Sequence, residues 1–220
     1  MARHREQAIA AAILAGGQGR RMGGANKGGL RIGAARIVDR QVALLREFAE
    51  PLFVVSARAD AGDMGLDVVP DVVPDAGPLG GIYTALVTSP CPRTLVVAGD
   101  LPFLTPALLR LLTQPSDADV ILPRSARGYE PLCATWSAGC AGAIRRRIDR
   151  GLLKAADVLA ELRVEEIGPE ALASCDPYGL LFVNVNTPHD YERAQELSRL
   201  ESKPSPDRIM DVSGPGPKPS

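Results

Sequence analysis

Seven apolar residues, numbers 8–14, run straight into a loop rich in glycine and cations. The loop reads Leu14-Ala15-Gly16-Gly17-Gln18-Gly19-Arg20-Arg21-Met22-Gly23-Gly24-Ala25-Asn26-Lys27. An unbroken apolar run of this length predicts a buried strand. Glycines let backbone N–H groups come close to a ligand, and cations beside such amides suit a polyphosphate. The loop is therefore a candidate nucleotide triphosphate site. Two familiar phosphate loops are excluded by spacing. A P-loop needs Lys directly after Gly, but Ala25 and Asn26 separate Gly24 from Lys27. The dinucleotide-binding pattern fits Gly17 and Gly19 but meets Met22 where its third glycine belongs.

The rest of the chain alternates in period. Helices are predicted over residues 36–49, where Val38, Val42 and Leu45 share a side, and over 81–87, 106–112, 138–149 and 190–200. Thr105 is the expected cap of the third of these. Short β-rich runs predict strands at 52–55, 95–98, 119–122, 131–135 and 180–185. Such alternation implies an α/β fold, three layers deep, with a mostly parallel sheet between helices. Ligands in these folds sit at the carboxyl ends of the strands. Residues 1–7 read as a loose polar lead, 8–201 as one domain, and 202–220 as a disordered tail rich in Pro, Ser and Gly.

Composition narrows the function classes. The 220 residues are 45% hydrophobic with net charge −1, enough for one substantial core. A near-neutral balance gives no support for nucleic-acid or membrane binding. No apolar run is long enough to cross a bilayer, and a signal-peptide core is not found. Cys91, Cys133, Cys140 and Cys175 form no C-x-x-C pair, and His4 and His189 lie far apart. Zinc and a disulfide framework are therefore not expected, packing is the expected role of Cys133, and the cytoplasm is the expected setting.

The glycine segment resembles the signature of nucleotidyltransferases that activate a phosphorylated small molecule with an NTP. Within that family it is most similar to the molybdenum cofactor guanylyltransferases. The matching residues are Leu14-Ala15-Gly16-Gly17, Arg21-Met22-Gly23 and Lys27. Further matches follow in order: Pro70-Asp71, Gly77-Pro78-Leu79-Gly80-Gly81, residues 96–103 with Gly99-Asp100 at their centre, and Asn184-Val185-Asn186-Thr187-Pro188. The resemblance spans residues 9–197 and implies a Rossmann-like three-layer nucleotidyltransferase domain. It implies Mg²⁺-dependent transfer of GMP from GTP to the terminal phosphate of molybdenum-bound molybdopterin, with pyrophosphate leaving. A molybdoenzyme or its chaperone is the implied further partner. A sister enzyme using CTP, an enzyme acting on a sugar or polyol phosphate, and a binding-only protein that delivers cofactor are the alternatives.

Nucleotidyl transfer brings two polyanions together, so the site must neutralise charge. Asp100, just past a predicted strand, is the expected metal ligand; capping the next helix is its other reading, for which Thr105 is better placed. Lys27 is the expected phosphate cation, with Arg21 assisting, and Gly16 and Gly17 offer amides. By family position Leu14 and Ala15 flank the base, and Asp71 contacts the nucleoside unless it only forms a turn after Pro70. Residues 75–81 are read either as a helix N-terminus turned toward the ligand or as an ordinary tight turn. Asn184 and Asn186 alternate on a predicted strand, hence share a face, and suit the pterin; two structural asparagines are the alternative. Arg124, Arg127 and Tyr129 are weaker candidates for the acceptor phosphate. The chain departs from the family at Asn26, often Asp there, at Gly33-Ala34-Ala35, which lacks the usual Pro, and at Ser56, where the guanylyltransferases have a nucleotide-contacting Asn.

Overall fold

The apolar run of residues 9–14 becomes the centre of a sheet. In a computed structural model, which describes residues 8–15, 30–56 and 65–201, strand β1 (Ile9–Leu14) lies between two parallel neighbours. These are β4 (Leu52–Val55) and β6 (Arg93–Ala98). Beyond β4 lies β5 (Asp67–Val69), also parallel. On the other side β9 (Cys133–Ser137) runs antiparallel to β6 and to β7 (Val120–Ser125), and β10 (Val164–Ile167) closes the edge parallel to β7. The order is β10-β7-β9-β6-β1-β4-β5, with β8 (Gly128–Tyr129) paired to β7 as a hairpin. A separate small hairpin joins β2 (Arg31–Ile32) and β3 (Ala35–Arg36).

Ala10, Ala11, Ala12 and Ile13 are buried because both faces of β1 are covered. One face carries α2 (Gly77–Thr88) and α4 (Ala141–Asp149), packed around Leu79, Ile82, Val96 and Trp136. The other carries α1 (Ile37–Leu45), α3 (Pro106–Leu112) and α5 (Pro169–Cys175), packed around Val38, Leu45, Val97 and Leu108. A third apolar cluster, made of Ile32, Ile37, Phe103, Leu180, Val185 and Ala194, binds the small hairpin to α6 (Pro188–Glu201). The three-layer expectation holds.

The details differ in places. The first predicted helix is shorter, ending at Leu45, and the second begins earlier, at Gly77. The strand predicted over residues 180–185 does not form. The carboxylate of Asp176 accepts from the amides of Leu180 and Leu181, at 2.6 and 3.0 Å, and the amide of Val183 turns back to the carbonyl of Leu180. With those donors held in a local turn, a sheet ladder has nothing to pair with.

Candidate active site at the carboxyl ends of the strands

The register sets the geometry. Leu14 is opposite both Ala98 and Val55, and Val55 is opposite Val69. Strands β6, β1, β4 and β5 therefore finish at one level, and Gly99-Asp100, Ala15, Ser56 and Pro70-Asp71 follow in a row. Pairing continues past the strands: Gly99 donates to the carbonyl of Leu14 at 3.0 Å, Ala15 to Val55 at 2.9 Å and Ser56 to Val69 at 3.0 Å. The Ser56 hydroxyl donates to the carbonyl of Ala15 at 3.1 Å, and the residue is 4% exposed. Ser56 thus holds the start of the glycine loop. Leu14 and Ala15 are half-buried, Leu14 toward α2 and Ala15 toward the opposite layer.

Asp100 is half-buried at the end of β6. Its turn depends on Gly99, where a Cβ would lie 3.2 Å from the carbonyl of Leu14 and 3.7 Å from Cα of Ala15. Leu101, Phe103 and Leu104 anchor the following residues in the core. Thr105 caps α3, its hydroxyl accepting from the amide of Leu108 at 3.3 Å, so Asp100 is not the cap.

Asp71 does form a turn. Its Oδ1 accepts from the hydroxyl of Thr84 at 2.7 Å and from the amide of Val73 at 3.1 Å. Thr84 in turn accepts from the amide of Val72. These bonds fasten the chain after β5 to α2, whose N-terminal end carries Pro78 and no side-chain cap. Gly80 and Gly81 allow close packing there. A Cβ on Gly80 would come 2.8 Å from Cβ of Ala76, and one on Gly81 would come 3.1 Å from Cδ1 of Leu14.

Asn184 and Asn186 reach the same neighbourhood by another route than the one expected. They flank Val185 in an irregular segment, so alternation on a strand does not align them. The amide of Val185 donates to the carbonyl of Asp100 at 3.1 Å, while its side chain is buried in the third cluster. Just beyond, Thr187 caps α6: its hydroxyl accepts from the amide of Asp190 at 3.1 Å. The Asp190 carboxylate accepts from the amides of Asn186 and Thr187, at 3.1 and 2.8 Å, a reciprocal capping box. Partial burial works against ionisation of Asp190, but the Thr187 and Asn186 hydrogen bonds outweigh it and lower its pKa.

Gly16, Gly17, Arg21 and Lys27 lie outside the described residues. Arg127 donates to the carbonyl of Phe182, tying the β7–β8 hairpin to the segment before Asn184. Arg124 lies over the ring of Tyr129 and pairs with Glu166. Among the described residues no group of three or more His, Cys, Asp or Glu is placed to hold a metal ion. All four cysteines are buried and free, and burial pushes the Cys133 thiol up to about 12. That suits the packing role expected of it. No described helix is long and apolar enough to cross a membrane.

One residue at this site was not anticipated. Gln41 of α1 is 2% exposed and donates from Nε2 to the carbonyls of Ala98 and Leu101, at 2.8 and 3.0 Å. Its sequence signal is a lone amide on the apolar side that holds Val38 and Leu45.

Comparison with known proteins agrees with this fold. A family model described as a MobA-like NTP transferase domain matches residues 11–166. The chain belongs to the MobA-like NTP transferase family. A probable molybdenum cofactor guanylyltransferase of Pelotomaculum thermopropionicum is 36% identical over 188 residues, 84% of this chain and 91% of the relative. A molybdenum cofactor guanylyltransferase of Desulfosudis oleivorans is 30% identical over 192 residues, 86% of this chain and 95% of the relative. Among solved structures, molybdopterin-guanine dinucleotide biosynthesis protein A of Archaeoglobus fulgidus aligns with a TM-score of 0.73 at 26% identity. That alignment covers 86% of this chain and 98% of the other. This MobA-like chain is a nucleotidyltransferase, and its strand-end row is the candidate active site.

Proposed function

We propose that this MobA-like enzyme transfers GMP from GTP to the terminal phosphate of molybdenum-bound molybdopterin, yielding the guanine dinucleotide cofactor and pyrophosphate. The observation that carries the reading is the level ending of four strands, which lines up Ala15, Ser56, Asp71 and Asp100 beside the segment bearing Asn184 and Asn186. Its similarity to guanylyltransferases over more than four-fifths of the chain supports guanine as the base.

In this reading an oxygen of the acceptor phosphate attacks the α-phosphorus of GTP. The bond from that phosphorus to the bridging oxygen breaks, and pyrophosphate leaves with the electron pair. Lys27 and Arg21 neutralise the triphosphate, and the amides of Gly16 and Gly17 donate to it. Leu14 and Ala15 flank the base. The Asp71 oxygen not used by Thr84 and Val73 is the one available to the nucleoside. Asn184 and Asn186 hold the pterin side, from a segment that the Val185 amide ties to the Asp100 carbonyl.

Asp100 would hold Mg²⁺. The donor set fits that ion, since Mg²⁺ takes one or two carboxylates and completes its shell with substrate phosphates and water, without a protein cage. When bound, it would act as a Lewis acid that stabilises the charge developing on the leaving group. Positioning by Lys27, the loop amides and Asp100 supplies most of the remaining catalysis. A molybdoenzyme or its chaperone receives the product, and the cytoplasm, where buried free thiols persist, is the setting we assign.

The test is pyrophosphate release with GTP, Mg²⁺ and molybdenum-loaded molybdopterin, in the parent chain and in Asp100→Asn. The expected result is release that falls by about 100-fold or more in a folded variant. Undiminished turnover in Asp100→Asn would show the metal assignment to be wrong.

A further inference from the structure

The Gly99-Asp100 turn is bracketed by the carbonyls of Ala98 and Leu101, and both point at one atom of Gln41. Two acceptors facing a side-chain amide identify that atom as the nitrogen, because the amide oxygen cannot donate to either. The other end of the amide, Oε1, is buried with no hydrogen-bond partner among the described residues. Burying an unmatched oxygen works against the fold. Against that cost stand the two hydrogen bonds that this amide makes to the Ala98 and Leu101 carbonyls, where Val38 and Leu45 pack. What the amide does is fix a turn.

Three separate elements hold that turn. Strand β1 accepts from the Gly99 amide, the Val185 amide donates to the Asp100 carbonyl, and α1 clamps both sides through Gln41. The first two bonds are made to the peptide groups of Gly99 and Asp100 themselves. Within the turn the Leu101 amide donates to the Ala98 carbonyl at 3.4 Å, and Gln41 ties both of these residues to α1. We infer that Gln41 is a positioning residue that sets the Asp100 carboxylate for the metal. The inference rests on the assignment of Asp100 as the metal ligand. Without the two donors, the Ala98 carbonyl keeps only the long bond from the Leu101 amide, α1 no longer grips the turn, and the turn relaxes. A displacement of about 1 Å at such a group is enough to lower a rate by about 100-fold.

The test uses the full chain with Gln41→Leu, Asp100→Asn and the double variant. Mn²⁺ is titrated against each in the presence of a non-hydrolysable GTP analogue, following the electron-spin resonance of free Mn²⁺. Pyrophosphate release gives kcat and the KM for GTP. Gln41→Leu is expected to weaken Mn²⁺ binding by about tenfold and to lower kcat by about 10- to 100-fold, with an unchanged KM for GTP. The double variant is expected to be no worse than Asp100→Asn, because both changes act on one group. Normal Mn²⁺ affinity in Gln41→Leu alongside an impaired Asp100→Asn overturns the inference alone. Independent, multiplying losses in the double variant overturn it too. Normal affinity in Asp100→Asn contradicts the metal assignment, and the inference falls with it. Gln41→Met is the second variant if Gln41→Leu does not fold; failure of both to fold makes Gln41 a folding residue and overturns its positioning role.

Discussion

The amide of Val185 donates to the carbonyl of Asp100 at 3.1 Å, across 85 residues of chain. That bond brings the last loop of the fold onto the end of a central strand. The loop is held from both sides, by burial of the Val185 side chain against the third cluster and by the capping box at the start of α6. Val185→Ala is expected to cost about 2 kcal/mol of stability. It should also raise the KM for the acceptor more than that for GTP, since Asn184 and Asn186 flank the loosened residue. Urea unfolding and steady-state kinetics on the same preparation check both effects.

Gly80 and Gly81 differ in what a methyl group would meet. At Gly80 it meets Cβ of Ala76 and the carbonyl of Val73, at 2.8 and 3.1 Å, neither of which moves freely. At Gly81 it meets the tip of Leu14, which can rotate. Gly80→Ala should therefore lower the melting temperature, despite the gain of about 1 kcal/mol that alanine brings to a helix interior. Gly81→Ala should leave the melting temperature nearly unchanged and raise the KM for GTP, because Leu14 flanks the proposed base site. Equal melting temperatures for the two variants would contradict this reading.

Ser56 stands where an asparagine is expected from the family, and its hydroxyl holds the carbonyl of Ala15. Ser56→Ala removes that donor, a net loss of about 1 kcal/mol. The account predicts a several-fold rise in KM for GTP with kcat little changed, read from initial rates over a range of GTP concentrations.

The capping box makes a prediction about pH. Asp190 has a lowered pKa in the folded chain, so its contribution is complete above the ordinary value of 3.8 and is lost as pH falls through the lower folded value. Asp190→Asn should be less stable than the parent at neutral pH by about 1 kcal/mol, the usual worth of a cap. The gap should close in acid, as pH falls below 3.8 and through the lowered folded value. Thermal melts of both proteins across that range decide it. A gap that persists below the folded pKa would mean that the carboxylate charge is not what stabilises the helix start.

Much of the site could be read from residue pattern because strand ends are marked by composition. The run of residues 9–14, the β-rich run ending at Val55 and the run ending at Ala98 each stop at a small or polar residue, and those stops became the row at Ala15, Ser56 and Asp100. Thr105 was equally plain, since a hydroxyl before Pro106 has few other uses. Residues 180–185 misled because their apolar character serves a cluster around Phe103, not a sheet face, and because Asp176 captures the amides that a ladder needs. Strand β10 and helix α5 were not predicted, for Val164–Ile167 has two glutamates at its centre and sits at the edge of the sheet. Gln41 escaped because a single buried amide has no period and shows its purpose only once Ala98 and Leu101 lie beside it.

The most direct measurement is pyrophosphate release with Mg²⁺ and molybdenum-loaded molybdopterin, with GTP, CTP, ATP and UTP offered one at a time. The account predicts release with GTP alone. Release with CTP alone would contradict the guanine assignment while leaving the reaction class in place. Silence with all four, from a folded sample and an acceptor proven active with another enzyme, would contradict molybdopterin as the acceptor.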